Sequence, residues 1–222
     1  MLTEEILKSL NEKFEPLSPV ERIGLLYDLF EQDSILFTSS FGTKSALLLY
    51  WISNIQPNQK IHFLDTGYHF EETLIYKNKL TAAFDLEVVN IYPQKEAHQK
   101  TLKTELWKKN ASKCCFINKV LPLELVKLDY SVWISGLMAY QTPFRRNLDV
   151  FEMKDNILKF YPLIDLMESD FNNFYQKATL PVHPLEILGY HSIGCLHCTQ
   201  RGLGRSGRWN DSSKTECGLH FN

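Results

Sequence analysis

The sequence predicts an α/β fold: a mostly parallel sheet with helices on both faces, followed by a loop-rich C-terminal extension. Short apolar runs typical of buried strands alternate with helical stretches as far as Ser135. Two of these runs end in turns that contain glycine and hydroxyl residues, a pattern typical of the carboxyl ends of parallel strands. From Leu180 onward, proline, glycine and histidine become frequent and the regular patterns disappear.

The predicted elements follow one another in a regular order. A polar helix is expected over residues 3–15. A second helix starts at Ser18-Pro19-Val20-Glu21, because serine caps it, proline suits its first turn and glutamate completes a capping box. Strands are predicted over residues 34–38, 59–64, 86–92 and 131–135. Helices are predicted to begin at residue 46 and to cover 70–82, 95–108, 116–125 and 168–178. A hairpin is expected from strands at 148–151 and 157–161, around a turn at 154–156.

Length and composition limit the class of protein. The chain has 222 residues, 44% hydrophobic content and a net charge of −2, which permits a sizeable core and gives no basic bias toward nucleic acid. No apolar run reaches the roughly 18–20 residues of a membrane span, and the N-terminus lacks the pattern of a signal peptide. We therefore expect a cytoplasmic protein without membrane or nucleic-acid partners. The sequence does not fix the oligomeric state, and a homo-oligomer is one of the alternatives. It is expected to be a single domain over 1–222, with N-terminal helices over 1–32 and a C-terminal tail over 195–222.

Four of the five cysteines form a candidate metal-ligand set. Cys114 and Cys115 are adjacent, and Cys195 and Cys198 form a C-x-x-C pair. Four thiolates are a full ligand set for a structural zinc ion or for an iron–sulfur cluster. The diverging side chains of adjacent cysteines suit two corners of a cubane better than one small ion. The alternative is that all four are buried thiols that serve as small hydrophobic residues.

Two further residues belong with this chemistry. Lys119 follows Cys115 by four positions, so on a helix both share one face and the ammonium can offset the charge of a thiolate-ligated cluster. A surface lysine is the alternative. Cys217, the remaining thiol, lies in a polar tail beside Lys214, Glu216 and His220. An exposed thiol with cationic neighbours can have a lowered pKa and act as a nucleophile.

Polar turns at the strand ends indicate a small-molecule site. The turn 39–45, Ser-Ser-Phe-Gly-Thr-Lys-Ser, offers backbone N–H groups, hydroxyls and a lysine at a helix start, which suits an anion. It lacks the spacing of a Walker P-loop, and an ordinary capped turn is the alternative. Asp65 is interpreted as a ribose or adenine contact or as a turn residue, while Thr66 and Gly67 allow close approach of a ligand. Arg145 can bind a phosphate or sulfate bidentately, unless it is simply solvated.

The combination of these pieces resembles one enzyme family, the assimilatory phosphosulfate reductases, and within it the iron–sulfur adenylylsulfate (APS) reductases. The resemblance runs from about residue 34 to 220. It is carried by the segments Ser39–Gly42, Leu64–Gly67, Lys113–Cys115, Gln141–Arg145, Tyr161–Leu163, Ser192–Cys195, Gly207–Trp209 and Glu216–His220. The double cysteine, the C-x-x-C pair and the terminal Glu-Cys-Gly-Leu-His are its most specific parts.

The resemblance implies a fold, a cofactor and a reaction. The fold is expected to be like that of the adenine nucleotide alpha-hydrolases, of PP-loop type. A [4Fe-4S] cluster is expected on Cys114, Cys115, Cys195 and Cys198, with Lys119 adjacent. The reaction is the thiol-dependent reduction of APS to sulfite and AMP, through an S-sulfocysteine on Cys217 that thioredoxin or glutaredoxin resolves. The expected substrate contacts are Ser39, Ser40, Gly42, Ser45, Leu64, Asp65, Thr66, Gly67, Gln141, Arg145, Arg208 and His220.

One departure from the family keeps alternatives open. After the fourth strand the family often carries Gly-x-Arg-Arg-x-Gln, and here Met138 and Ala139 replace both arginines. Anion binding by that loop is therefore weaker. The alternatives are a reductase of 3'-phospho-APS, a PP-loop enzyme that adenylates its substrate for thiolation, and a nucleotide sensor with a metal site. The adenylating alternative lacks an acidic residue in the 40–45 turn and leaves Cys217 without a role.

Overall fold

The computed structural model describes residues 3–209, 214, 216, 218 and 219. Within them, six strands form one sheet in the order β3-β2-β1-β4-β6-β5. The strands are β1 (Ile35–Thr38), β2 (Ile61–Leu64), β3 (Val88–Ile91), β4 (Val132–Ile134), β5 (Phe151–Lys154) and β6 (Ile157–Phe160). The helices are α1 (Glu4–Phe14), α2 (Pro19–Leu29), α3 (Ala46–Ile55), α4 (Glu71–Ala83), α5 (Lys95–Lys103), α6 (Leu106–Lys109), α7 (Ala111–Cys115), α8 (Leu121–Lys127) and α9 (Glu168–Lys177). None of these helices combines the length and the apolar character needed to cross a membrane.

The sheet is parallel except at one edge, which confirms the predicted fold class. β1 pairs in parallel with both β2 and β4, and only the β5–β6 hairpin is antiparallel. The chain builds outward from β1 through β2 to β3, then returns to the other side of β1 with β4. The strand order therefore reverses between β1 and β4. In open α/β sheets, a crevice forms at the carboxyl ends of the strands at such a point.

Both faces of the sheet are covered by hydrophobic packing. Phe37 and Ile134 point into the larger core, while their neighbours Leu36 and Trp133 belong to a smaller core on the opposite face. Successive strand residues face opposite sides of a sheet, so both sides of β1 and β4 are buried. This explains why these strands are continuous apolar runs, as expected for parallel strands between two helical layers.

Two helix predictions are corrected by the structure. The predicted helix over 95–108 is wrong in its middle: α5 ends at Lys103 and α6 begins only at Leu106. Glu105 between them has a φ of 47°, a left-handed conformation that interrupts a right-handed helix. The helix predicted over 116–125 starts earlier, at Ala111, and continues to Lys127, with one π turn over Phe116–Val120. Such turns insert an extra residue and are often found at functional sites.

The predicted hairpin exists, but its first strand lies later than 148–151. β5 begins at Phe151 and pairs with β6 as far as Lys154, opposite Ile157. The connection needs only Asp155 and Asn156, which have φ values of 50° and 63°. Two residues with positive φ are typical of a two-residue hairpin turn whose twist matches that of the strands, so pairing continues up to the turn.

The N-terminal helices are fixed to the sheet by polar contacts. The predicted capping box is confirmed: Glu21 N donates to Ser18 Oγ over 3.4 Å, and Ser18 N donates to Glu21 Oε2 over 2.8 Å. The next residue, Arg22, is only 1% exposed and forms two 2.6 Å bonds to the Asp165 carboxylate. Its other donors bind backbone carbonyls, including that of Phe14. Arg22 thus joins both N-terminal helices to the loop after β6.

Asn11 of α1 contacts the outer strand of the sheet. Its side-chain amide donates to Phe151 O over 3.0 Å, and its carbonyl accepts from Phe151 N over 2.8 Å. The amide therefore binds the free backbone edge of β5 in the way that a neighbouring strand would.

Candidate active site

A cavity of about 380 Å³ opens at the carboxyl ends of β1, β2 and β4, where the strand order reverses. Its volume is within the range typical of small-molecule sites. Eight of the predicted substrate contacts line it: Ser39, Ser40, Gly42, Ser45, Leu64, Gln141, Arg145 and Arg208. The residues that sequence reasoning singled out at separate strand ends are thus brought together by the parallel sheet.

The turn after β1 presents backbone donors to this cavity. Phe41 has a φ of 48°, and its N–H donates to Ser39 Oγ over 3.2 Å, which tightens the turn. Ser45 N donates to Gly42 O, and the chain then enters α3 without a side-chain cap on its first turn. The N–H groups at the start of a helix have no partners within it and carry partial positive charge. This end of the cavity therefore suits an anionic group.

In the turn after β2, the structure favours the turn-residue interpretation of Asp65. Asp65, Thr66 and Gly67 do not line the cavity. Asp65 Oδ1 accepts from Gly67 N over 3.0 Å, which closes the turn, and buried Thr66 places its hydroxyl 3.5 Å from Cys195 Sγ. His69 lines the cavity instead; burial lowers the pKa of its imidazole to about 4, so the ring is neutral near pH 7. The turn connects the cavity to the cysteine site.

The loop after β4 contributes apolar and uncharged residues. Met138 is buried in the larger core and Ala139 packs against it. Neither side chain carries charge, so this loop lacks the positive charge that the two family arginines would bring. Tyr140 and Gln141 line the cavity, and the buried Tyr140 hydroxyl has no hydrogen-bond partner among the described residues. It is available to a polar group of a ligand. Sequence reasoning missed Tyr140 because a tyrosine in a loop carries no specific signal.

Arg145 lies at the cavity but is bound within the protein. Its guanidinium forms a bidentate pair with Glu216, through Nε at 2.7 Å and Nη2 at 2.8 Å, and Nη1 donates to Gln141. Arg205 Nη2 donates to the same carboxylate over 3.0 Å. Sequence reasoning treated Arg145 as a ligand contact and did not predict Glu216 as its partner. The Glu-Cys-Gly-Leu-His motif contained that residue without indicating its role.

Arg208 approaches the cavity across a glycine. A Cβ atom at Gly194 would lie only 2.2 Å from Arg208 Nη2, so a side chain there would displace the guanidinium. Arg208 stacks on Trp209, with the guanidinium carbon 4.3 Å from the ring centroid. Its buried Nε has no hydrogen-bond partner in the described part of the chain. Arg208 is therefore positioned for a ligand by packing.

The four paired cysteines come together beside the cavity. Cys114, Cys115, Cys195 and Cys198 line one small pocket together with Lys119, and none of them is in a disulfide. The pocket is walled by Tyr68, Trp107 and His197, the last two rings being stacked at 3.9 Å. Cysteines eighty positions apart in sequence are thus placed around one small pocket, which a role as scattered core fillers would not require.

The chemistry of this pocket fits a group that neutralises several thiolates. Burial, followed by the charges of the other three thiols, raises the pKa of Cys114 to about 12. Burial also acts to raise the pKa of Cys195, but the Lys119 ammonium and a hydrogen bond with Thr66 outweigh it and lower that pKa. Among the described residues, no three His, Cys, Asp or Glu side chains converge closely enough to hold one metal ion. The four thiols therefore line one pocket without converging on a single point.

Lys119 connects the two sites, since it lines both the cavity and the cysteine pocket. It lies in the π turn that follows Cys115. The predicted nucleophile Cys217 and the predicted contact His220 lie outside the described residues. Glu216 and Leu219, on either side of Cys217 in sequence, both line the cavity.

Comparison with known proteins places these features in context. The family model for the phosphoadenosine phosphosulfate reductase domain matches residues 34–201. Adenosine 5'-phosphosulfate reductase of Geobacillus thermodenitrificans is 38% identical over 198 residues, covering 85% of this chain and 84% of the relative. The enzyme of the same name from Bacillus mycoides is 34% identical over the full length of both chains, 100% of each.

Solved structures show the same fold. The phosphoadenylyl-sulfate (PAPS) reductase of Candida auris, in a phosphate complex, aligns with a TM-score of 0.75 and 26% identity, covering 90% of this chain and 98% of the other. FMN adenylyltransferase of Candida glabrata, in complex with FAD and inorganic pyrophosphate, aligns with a TM-score of 0.58 at 13% identity, covering 83% and 65%. The fold is that of the adenine nucleotide alpha-hydrolases, as the sequence resemblance implied.

Proposed function

The chain belongs to the phosphoadenosine phosphosulfate reductase domain family, and from that membership we propose that it is an oxidoreductase that reduces APS to sulfite and AMP in sulfate assimilation. Curated relatives named for this activity match most of the chain. The observation that carries the proposal is that Glu216 and Leu219, one position before and two after Cys217, line the same cavity as the turn after β1. A nucleotide-sized cavity and the segment with the candidate nucleophile thus meet.

The cavity suits a nucleotide that carries a phosphate and a sulfate. The turn 39–45 and the start of α3 offer backbone donors, and Lys119 and Arg208 bring positive charge from the side of the cysteine pocket. Leu64 and Leu48 supply apolar wall for a base or ribose, while Gln141 and Tyr140 supply polar groups. We propose that Asp65, Thr66 and Gly67 act by shaping the turn beneath the nucleotide, and that His220 completes the site.

The proposed chemistry begins with the thiolate of Cys217. It attacks the sulfur atom of APS; a sulfur–sulfur bond forms and the bond from that sulfur to the phosphate oxygen of AMP breaks. AMP leaves with the electron pair of that bond, and an S-sulfocysteine remains. Donors at the turn 39–45 and Arg208 are placed to stabilise the charge that develops on the leaving phosphate.

The second half of the reaction needs two electrons from an external dithiol, for which thioredoxin or glutaredoxin is proposed. One thiolate of the donor attacks the Cys217 sulfur, sulfite leaves, and a mixed disulfide forms. The second donor thiol then breaks that disulfide, so the donor is oxidised and Cys217 returns as a thiolate. Sulfur of the substrate is reduced by the same two electrons.

We further propose that Cys114, Cys115, Cys195 and Cys198 hold a [4Fe-4S] cluster. The support is four thiols around one pocket, the number that ligates such a cluster. When bound, such a cluster would tie the segment after α6 to the 195–198 segment and set the charge beside the cavity. Lys119, which contacts both sites, would balance that charge against the charge of the substrate.

A reductase of 3'-phospho-APS is the second candidate, favoured by the Candida auris structure and the description of the family model. We prefer APS because the curated relatives carry that name and the chain has the four-cysteine set.

We also propose that residues 1–222 act as one domain, with N-terminal helices over 1–32 and the tail over 195–222. We propose that this domain acts in the cytoplasm.

Anaerobic purification followed by a sulfite assay tests the proposal. Protein is incubated with APS or with 3'-phospho-APS, in the presence of thioredoxin or a small dithiol. We expect sulfite from APS with a higher kcat/KM than from 3'-phospho-APS. Cys217→Ser should still bind AMP but release no sulfite, and wild-type protein given APS without a thiol should gain about 80 Da on Cys217, the mass of one SO₃ group. Release of sulfite by Cys217→Ser, or an adduct on another cysteine, would contradict the mechanism.

A further inference from the structure

Glu216 is a fully enclosed carboxylate in the C-terminal tail. It is 1% exposed, and both of its oxygens are used. Oε1 accepts from Arg145 Nε at 2.7 Å and from Thr142 Oγ1 at 3.2 Å. Oε2 accepts from Arg145 Nη2 at 2.8 Å and from Arg205 Nη2 at 3.0 Å. We call this arrangement of Glu216, Thr142, Arg145 and Arg205 the carboxylate clasp.

The clasp joins three separate segments of the chain. Thr142 and Arg145 lie in the loop after β4, Arg205 lies in the first part of the 195–222 tail, after the C-x-x-C pair, and Glu216 lies near the end of that tail. Burying a carboxylate is unfavourable unless charged partners and hydrogen bonds compensate, and breaking such a pair from one side is strongly destabilising. Glu216 therefore stays enclosed only while both of the other segments hold it, and these two segments in turn fix one place for the chain at Glu216.

The position of this carboxylate in the sequence connects the clasp to the proposed nucleophile. Glu216 is joined directly to Cys217, the proposed nucleophile. It also lines the cavity, as do Arg145 and Arg205. The clasp therefore holds the chain at the cavity wall one position before the proposed nucleophile.

We infer that Glu216 is a positioning residue: the carboxylate clasp holds the chain at Glu216 against the cavity, and through it keeps the proposed nucleophile, the next residue, in reach of the substrate. The inference rests on the proposed function for the role of Cys217. Arg145 is then chiefly an anchor of the tail rather than a contact of the substrate. The substrate's charge is met instead by the turn 39–45, Lys119 and Arg208.

Glu216→Gln tests this, because it keeps the size of the side chain but removes the charge that both arginines hold. Glu124→Gln is the matched control: it removes the partner of buried Lys127, 2.8 Å away, outside the cavity. Two properties are measured on anaerobically purified holoprotein. One is the rate at which iodoacetamide alkylates Cys217, followed by peptide mass spectrometry. The other is kcat and KM for sulfite release, together with the Kd of AMP.

We expect Glu216→Gln to speed alkylation of Cys217 and to lower kcat, each about tenfold or more, because two charge-assisted hydrogen bonds of the pair are weakened. The Kd of AMP should change less than about threefold, since AMP is not held by the clasp in this scheme. Glu216→Asp should partly restore kcat, and Glu124→Gln should match wild type. Arg205→Gln, which removes one bond of the clasp, is a milder second variant and should shift both properties in the same direction.

Unchanged alkylation and unchanged kcat in both clasp variants would overturn the inference. A loss of AMP binding comparable to the loss of kcat would also overturn it, since Glu216 and Arg205 would then act on the ligand rather than on the tail. The proposed function fails separately, if wild-type protein releases no sulfite from either nucleotide. In that case the alkylation rates would still report on the clasp.

Discussion

His183 should make the protein sensitive to mild acid. Its ring is 0% exposed and packs 4.7 Å from the ring of Tyr76. Leu185 N donates to Nδ1 over 3.1 Å, so Nδ1 must be unprotonated, and Nε2 lies 3.2 Å from Thr73 Oγ1. Burial lowers the pKa of His183 from 6.5 to about 4, opposed in part by the nearby charge of Glu72. A proton on Nδ1 would face the Leu185 N–H group.

The sign and size of the effect follow from linkage. Because the folded pKa lies below the unfolded one, the unfolded state binds more protons once the pH falls below about 6.5. The stability from neutral His183 is therefore present above about pH 6.5 and is lost progressively toward pH 4. A shift of this size is worth about 3 kcal/mol in full, of which about 2 kcal/mol is lost between pH 7 and pH 5.

Urea unfolding at pH 7 and pH 5, followed by circular dichroism, measures this loss. The comparison is with His183→Asn, whose side-chain oxygen can accept from Leu185 N but does not titrate. The variant should be less stable at pH 7, by about 1–3 kcal/mol, yet lose about 2 kcal/mol less than wild type on going to pH 5. His69 titrates in both proteins, and any bound cluster is present in both. Their contributions to the loss of stability therefore cancel when wild type and variant are compared. Equal losses in the two proteins would refute the assignment to His183.

Three further outcomes are expected. Arg22→Met should lower the free energy of unfolding by about 1–3 kcal/mol in urea, since it leaves buried backbone carbonyls without donors while the half-exposed Asp165 carboxylate is solvated; Lys8→Met on the surface should cost under about 1 kcal/mol. Gly194→Ala should push the Arg208 guanidinium out of the cavity and raise the KM for APS about tenfold, as the loss of a charged hydrogen bond would; an unchanged KM would remove Arg208 from the site. Cys198→Ser should cut iron and acid-labile sulfide per chain well below the expected four of each, and full retention would remove this thiol from the proposed ligand set.

The central strands could be predicted because local sequence and tertiary burial agree there. β1 and β4 are short apolar runs, and both faces of each are covered in the structure. The capping box at Ser18 was equally predictable, since its two hydrogen bonds involve residues three positions apart. The break at Glu105 was not, because a glutamate with positive φ has no local sequence signal and is held by its surroundings.

The candidate site was predictable in its members and less so in its pairings. Turns at the ends of parallel strands must meet at one edge, so the turn 39–45 and Arg145 were expected together. The pairing of Arg145 with Glu216 joins residues 71 positions apart and depends on how the tail folds back. A single sequence contains no distance information of that kind. Asp65 differs, because its bond to Gly67 N spans only two positions and a turn residue was one of its two sequence interpretations.

The hydrogen bonds of Asn11 to Phe151 have a consequence for self-association. β5 is an outer strand, and a free strand edge is a template on which another molecule can add a strand and begin to polymerise. The Asn11 amide occupies both backbone groups of Phe151, so part of that edge is closed by a side chain. Slow hydrolysis of this amide to a carboxylate would remove the donor and place negative charge against the Phe151 carbonyl. Stored protein that ages in this way would expose the edge and gain a route to aggregation without any change in its core.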